Sequence, residues 1–321
     1  MSVVLTKSRC INALKCYVSY ALSLFGSVRI VHKPLFVSVE PAAVCQLRCP
    51  ECPVGRGHKG VAKGERTMSR SVWEKVLAEA TPFAHTMQFY FQGEPLLNKD
   101  LPRMISEAHE AGLYTIVSTN AQAMTVEIAE ELIKAGLSKI IVSMDGLTQA
   151  SYGAYRVGGD VERCKAALRY LREAKERLHG HTTIELQCLR LKTNEGEWKL
   201  FRSSYKALGA DRLAFKTAQL YDYADGHPLM PSDKRYSRYI QGSDGQYHRR
   251  KLGRGCLRVW SGVVVTTEGE VLPCCYDKAH DHTYGNIENA HLAELFTSDK
   301  ATAFRKGALL EKPEICKECW R

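Results

Sequence analysis

Cys45-Gln46-Leu47-Arg48-Cys49-Pro50-Glu51-Cys52 is the stretch on which the reading of this protein turns. Three thiols follow an apolar run, Leu35 to Val39, that reads as a strand. Their Cys-x3-Cys-x2-Cys spacing wraps the backbone around one face of a compact inorganic centre. A cubane cluster has about four irons, so three thiolates leave one iron open to a small chelating molecule. The competing reading is a zinc knuckle or a set of buried thiols. Tetrahedral zinc takes a fourth ligand, and His58 is near enough in sequence to supply it.

The rest of the composition is that of a globular protein. Of 321 residues, 45% are hydrophobic and 25% charged, enough for one large α/β domain with or without an appendage. The formal charge of +10 is spread along the sequence without a dense basic run, so a nucleic-acid partner is not expected. Twelve cysteines occur mostly in close sets: Cys45/Cys49/Cys52, Cys256, Cys274/Cys275 and Cys316/Cys319. That grouping suits metal ligation in a reducing cytoplasm better than a disulfide framework, and the localisation expected is cytoplasmic. Cys10, Cys16, Cys164 and Cys188 are scattered and read as small core hydrophobes. Cys16 to Val28, uncharged and apolar after Lys7, Arg9 and Lys15, imitates a signal peptide but lacks a clear cleavage site, and it is short for a transmembrane helix. Residues 7–25 read as a helix packing on the barrel or on a partner, with peripheral membrane contact a lesser alternative.

From the cysteine loop onward, strand and helix patterns alternate. Helices are expected at Met68–Ala80 with a Ser69 cap, Leu101–Ala111, Thr125–Ala135, Val161–Leu178 and Glu197–Leu208. Gly112, Gly136 and Gly209 stand as helix stops. Strands are expected at His85–Phe91, Leu113–Ser118, Ser138–Ser143, Thr182–Leu189 and Asp211–Phe215. Six strands alternating with helices predict a parallel sheet with helices outside, curled by right-handed crossovers. A full barrel needs about eight units.

Cys-x3-Cys-x2-Cys after a first strand resembles the signature of the radical S-adenosylmethionine (SAM) enzymes. The resemblance implies a partial (β/α)6 TIM-like barrel, a SAM-binding 4Fe-4S cluster, and S-adenosylmethionine cleaved to a 5′-deoxyadenosyl radical. Phe91-Gln92-Gly93-Glu94-Pro95 resembles the family's Gly-Gly-Glu-Pro element, with Gln92 in place of the first glycine. The implied contacts are Gln92, Gly93 and Glu94 with the methionine amino group, and Arg156 with the carboxylate. Ser118 and Asn120 end the third strand, Ser143 and Asp145 the fourth, where they suit a ribose; Asp145 reads equally well as a turn cap. Leu189 on the fifth strand falls near the adenine.

The C-terminal third divides at about Gly255. Residues 217–254 are polar and turn-rich and read as a linker or substrate-facing loop. Cys256, the apolar run Val259–Thr266, a turn at residues 267–270 and Val271–Cys275 read as a β-hairpin, followed by a helix, Leu292–Arg305, and Cys316-Lys317-Glu318-Cys319. Cys256, Cys274, Cys316 and Cys319 suffice for either zinc or a cubane. Beside the N-terminal motif they resemble the SPASM and twitch extensions, which carry auxiliary 4Fe-4S clusters, with Cys275 a spare thiol or alternate ligand. The organisation expected is a helical segment (1–34), the barrel (35–216), the linker (217–254) and a small cluster-binding α+β extension (255–321).

The function implied is hydrogen abstraction from a substrate C–H bond for a net oxidation. The substrate is a small molecule or a peptide, and the electron donor a flavodoxin or ferredoxin. No winged-helix pattern precedes residue 35, which counts against the large peptide maturases. Asp222, Asp225, His227 and Asp277 are acid/base candidates by location alone. A regulatory or scaffold protein holding zinc or iron–sulfur is the alternative.

Overall fold

The structure is a computed structural model that describes residues 6–57, 67–250 and 255–317. Helix α1 (Lys7–Ser23) precedes β1 (Phe36–Val39), α2 (Arg70–Ala80), β2 (Thr86–Phe89), α3 (Leu101–Glu110) and β3 (Tyr114–Thr119). Then follow α4 (Val126–Lys134), β4 (Lys139–Ser143), α5 (Gln149–Gly153), α6 (Val161–Arg177), β5 (Thr183–Arg190), α7 (Trp198–Ser204) and β6 (Arg212–Thr217). Capping fixes the helix starts: Ser69, Thr125 and Asp160 accept the amides of Val72, Ile128 and Glu162. Gly136 ends the turn after α4 at φ +76°, and a Cβ there would also strike the His109 ring.

Strands β1 to β6 pair in parallel in sequence order, six units of a partial barrel. Met87 and Phe89, Val117, Ile140 and Val142, and Ile184 and Leu186 form one fully buried apolar cluster with Ile105, Leu132 and Leu168 from the helices. Each such residue contributes about 1.5–3 kcal/mol. Between these positions, alternate residues such as Ser118 and Ser143 line an interior cavity.

The C-terminal strands do not stand apart. After the hairpin β7 (Tyr239–Gln241) and β8 (Tyr247–Arg249) come α8 (Leu257–Ser261), β9 (Gly262–Val265), β10 (Glu270–Leu272) and β11 (Gly285–Asn286). Strand β9 pairs in parallel with β1, so the described sheet runs β11-β10-β9-β1-β2-β3-β4-β5-β6. Gly262 makes this pairing possible, because a Cβ there would strike the Phe36 ring. The last described elements are α9 (Leu292–Thr297), α10 (Asp299–Leu310) and α11 (Glu314–Lys317).

Three expectations are corrected here. The run Val259–Thr266 is not one strand: its first residues lie in α8, where Ser261 Oγ donates to the Leu257 carbonyl at 2.8 Å. Trp260, fully buried, offers its carbonyl to His32 Nε2 at 2.8 Å and to the Cys16 thiol, and this burial overrides strand propensity. The helix expected at Leu292–Arg305 is two helices, broken at Ser298, whose extended backbone (ψ 163°) and hydroxyl cap α10. Residues 217–250 are more than a loop. Besides the β7–β8 hairpin, Leu220, Leu229, Met230 and Tyr239 pack against Leu47, Cys49 and Tyr155 in a second apolar cluster.

Glu40, just past β1, is buried where barrel and extension meet. Burial pushes its carboxyl up to about 7, although the amides of Thr267, Gln92 and Gly93 pull the other way. A carboxyl raised in the folded state stabilises at low pH, and that contribution is lost as pH rises through about 7. From pH 5 to pH 8 the wild-type protein should therefore lose about 2.5 kcal/mol relative to Glu40→Gln. Denaturant unfolding of both proteins at the two pH values measures this, and parallel pH profiles would refute it.

Candidate active site

The loop after β1 brings Cys45, Cys49 and Cys52 into a cavity of about 470 Å³ at the C-terminal ends of the strands. Backbone bonds hold its turns: Cys52 N donates to the Cys49 carbonyl at 3.1 Å and Arg48 N to the Val157 carbonyl at 2.9 Å. Asn120 Nδ2 and Leu47 N donate to Cys45 Sγ at 3.3 and 3.4 Å, a setting that favours sulfur carrying negative charge. Burial works against that charge, pushing Cys49 up to about 11 and raising Cys45 as well. Thiols held together at that cost fit a cationic iron–sulfur centre, which takes them as thiolates. His58, the proposed fourth zinc ligand, lies outside the described residues.

Opposite this loop, the strand ends form a polar wall. Gly93 sits so close to the cysteine loop that a Cβ would run into the Ala42 carbonyl. Glu94 N donates to the Val44 carbonyl at 2.8 Å, joining the second strand end to the same loop. The Glu94 carboxylate is buried and already accepts Thr119 Oγ1 (2.5 Å), Asn120 N (2.7 Å) and Leu96 N (3.1 Å). It ties β2 to β3, so at this element a ligand amine would meet backbone more readily than carboxylate. Gln92, the departure from the glycine pattern, donates from Nε2 to the Lys278 carbonyl at 2.9 Å and links the barrel to the extension.

Ser118, Asn120, Ser143, Arg156 and Leu189 all line the cavity, as do Gln92, Gly93 and Glu94. Asp145 stands behind them. One of its carboxylate oxygens accepts Arg156 Nε and the other Leu189 N, both at 2.6 Å. Burial opposes a charge on Arg156, but Asp145 above all, with Cys49, outweighs it and holds the guanidinium above its ordinary range. Arg156 itself lies on the cavity wall. A planar cation held this way is shaped for a carboxylate.

Two supporting residues escaped the sequence. Asn194, fully buried, donates to the carbonyls of Asp145 and Leu189, both at 2.8 Å, and so locks the ends of β4 and β5 together. Glu51, inside the cysteine motif, accepts Tyr221 N at 2.6 Å and faces Arg56 and His227. It clamps residues 221–227 onto the cluster loop. An acidic residue set between two cysteines was the available signal.

The four acid/base candidates lie away from the cavity lining. Asp222 is exposed and pairs with Arg56 at 3.3 Å, and Asp225 is exposed. His227 faces Glu51, while its Nδ1 accepts Leu229 N at 3.2 Å. Asp277 is buried and accepts the amides of Asp281 and His282, both at 3.0 Å. Near it, Cys256, Cys274, Cys275 and Cys316 converge: burial holds the Cys274 thiol well above its usual range, and the other three act on it electrostatically. Arg258 Nη1 donates to Cys275 Sγ at 3.6 Å, which occupies that thiol. Cys319 lies outside the described residues.

Two profiles match along the sequence: the radical SAM superfamily over residues 39–186, and SPASM, an iron–sulfur cluster-binding domain, over residues 256–320. The protein is a radical SAM enzyme. Its cofactors are S-adenosylmethionine, a SAM-binding 4Fe-4S cluster and auxiliary iron–sulfur. The PqqA peptide cyclase of Xanthomonas campestris is 26% identical, the match covering 90% of this chain and 80% of that one. The same activity name belongs to a relative in Rhizobium meliloti, also 26% identical over 90% of this chain and 80% of its own. Among solved structures, Streptococcus suis SuiB bound to S-adenosylmethionine has a TM-score of 0.67 at 15% identity, covering 98% of this chain and 79% of that one. BtrN in complex with AdoMet and 2-DOIA has a TM-score of 0.55 at 20% identity, covering 89% and 92%. These structural likenesses are of fold, and in parallel α/β folds ligands bind at the strand C-terminal ends, where this protein has its cavity.

Proposed function

We propose that this radical SAM enzyme modifies a peptide, taking hydrogen from a C–H bond of one of its residues for a net oxidation such as a cross-link. Cys45, Cys49 and Cys52 would hold the SAM-binding cluster; Cys256, Cys274, Cys316 and Cys319 would hold the auxiliary one. When bound, the first cluster and S-adenosylmethionine would supply a 5′-deoxyadenosyl radical, and the auxiliary cluster would accept the second electron. The protein's own residues do the placing. Arg156, held by Asp145, takes the SAM carboxylate; the backbone of Gln92–Glu94 takes the amino group; Ser118, Asn120 and Ser143 face the ribose, and Leu189 the adenine. A flavodoxin or ferredoxin would donate the first electron.

The observation that carries the peptide reading is the edge strand beside the cavity. Strand β6 is the outermost strand of the sheet among the described residues, and its C-terminal residues Lys216 and Thr217 line the cavity. A strand edge offers backbone donors and acceptors to an extended peptide, which a small molecule cannot use along its length. PqqA peptide cyclases and SuiB, whose solved structures include one bound to the precursor peptide SuiA, support the same class.

The test is anaerobic reconstitution with iron and sulfide, then dithionite and S-adenosylmethionine with candidate substrates. About eight irons per protein and formation of 5′-deoxyadenosine are expected. Peptides encoded beside this gene should raise the yield; aminocyclitols should not. No 5′-deoxyadenosine at full iron and sulfide content would refute the reading. Stimulation by aminocyclitols alone would move the substrate to the small-molecule class.

A further inference from the structure

Helix α1 is mounted the wrong way round for a surface helix. Its buried face is mostly polar: Arg9, Asn12, Ser19 and Ser23 point into the protein beside Cys16. Arg9 donates to the carbonyls of Gly112 (2.7 Å), Ala111 (2.8 Å) and Thr81 (2.9 Å), where α2 and α3 end. Asn12 donates to the Lys33 carbonyl at 3.1 Å and accepts Lys33 N at 2.8 Å; Ser19 donates to the Arg29 carbonyl at 2.6 Å. These bonds fix the helix's rotation about its own axis. They leave Ile11, Leu14, Val18, Leu22 and, just past the helix end, Phe25 exposed. The spacing of three to four residues puts all five on one stripe. Exposure runs from 44% at Ile11 to 65% at Leu14 and 90% at Phe25, so none of the five is covered by the rest of the protein. An amphipathic surface helix ordinarily turns that stripe to the core.

The position of α1 matters as much as its facing. Its anchors are the carbonyls just before β3 and the His85 ring just before β2, at the strand N-terminal ends. The cavity opens at the opposite ends. A surface covering this stripe would therefore leave the active site unobstructed.

Charge decides which surface that is. Lys7 and Lys15 on the same helix are exposed, as is Arg29 beyond it, in a protein of formal charge +10. A second copy of this helix carries no acidic residue to pair with these cations, so stripe-to-stripe contact would set positive charge against positive charge, which is unfavourable. An anionic bilayer meets both halves of the pattern: its interface takes the apolar residues and its headgroups the cations. No helix among the described residues is long and apolar enough to cross a membrane, which agrees with a helix lying in the plane of one. We infer that α1 docks this enzyme flat on an anionic lipid surface, through Ile11, Leu14, Val18, Leu22 and Phe25, with the active site facing away.

Sedimentation of the reconstituted full-length protein with phosphatidylcholine vesicles, with and without phosphatidylglycerol, tests this. Wild type should pellet with the anionic vesicles and weakly, if at all, with the neutral ones, and salt should reduce binding. Leu14→Glu/Leu22→Glu changes only exposed positions and should cut binding roughly ten-fold or more, as should Lys7→Glu/Lys15→Glu. Both variants should still form 5′-deoxyadenosine, which shows that they fold. Failure of wild type to bind anionic vesicles would overturn the inference. So would equal binding by the leucine variant, or a dimer in solution that this variant makes monomeric without any vesicle binding. A negative result here leaves the peptide-modifying reading standing, because that reading is tested by product formation in the absence of lipid.

Discussion

Replacing Cys49 by alanine should remove 5′-deoxyadenosine formation to below detection, a loss of at least about a thousand-fold, while the protein still folds. Cys49 is buried among Leu47, Tyr155 and Leu191. Losing one sulfur there leaves a small void and costs on the order of 1 kcal/mol. Losing one of three thiolates leaves the cluster on two. Iron should fall from about eight to about four per protein, the remainder being auxiliary. Cys164→Ala is the matched control. That thiol is equally buried, but it bonds to Tyr152 and Gln122 and does not line the cavity. It should keep both iron and product. A Cys49→Ala protein that retains full iron and activity would remove this loop from the chemistry.

Arg156→Leu should act twice. Asp145 is almost wholly buried, and without the guanidinium its charge faces only the Leu189 amide. Breaking a buried pair by removing one partner costs about 3–5 kcal/mol. The same change removes the cation assigned to the SAM carboxylate, and KM for S-adenosylmethionine should rise about a hundred-fold, or ~2.7 kcal/mol. Asp145→Asn separates the two effects. It lowers stability but leaves the cation on the cavity wall, so KM should rise far less. Thermal unfolding and product formation at varied S-adenosylmethionine concentration measure both. If Arg156→Leu lowers the melting temperature with KM unchanged, the guanidinium is only Asp145's partner.

Much of the site was legible because its chemistry is local in sequence. Cys45, Cys49 and Cys52 fall on one loop, and Gly93, Ser118, Ser143 and Leu189 each come at the end of a strand that periodicity had located. Parallel pairing then brings those ends to one rim. Asp145 shows where such reading stops. Ribose contact and turn cap were both open, and the fold uses the carboxylate to hold Arg156 and the Leu189 amide. His227 and Asp277 stand close in sequence to loops and cysteines, and that nearness says nothing of where their side chains point. Hydrogen bonds from backbone amides and a pairing with Glu51 decide where they point, and no periodicity carries those.

By itself, then, the sequence determined the alternation of strands and helices, the cysteine spacings and the polar strand ends, since each depends on residues close together along the backbone. Tertiary structure decided the pairing of β9 with β1, the break at Ser298, and the burial of Glu40 and Glu51. It also decided which way α1 faces. A helix with polar residues on one side and apolar residues on the other reads as apolar side inward; only the carbonyls of Thr81, Ala111 and Gly112, brought to Arg9 by distant segments, turn it over.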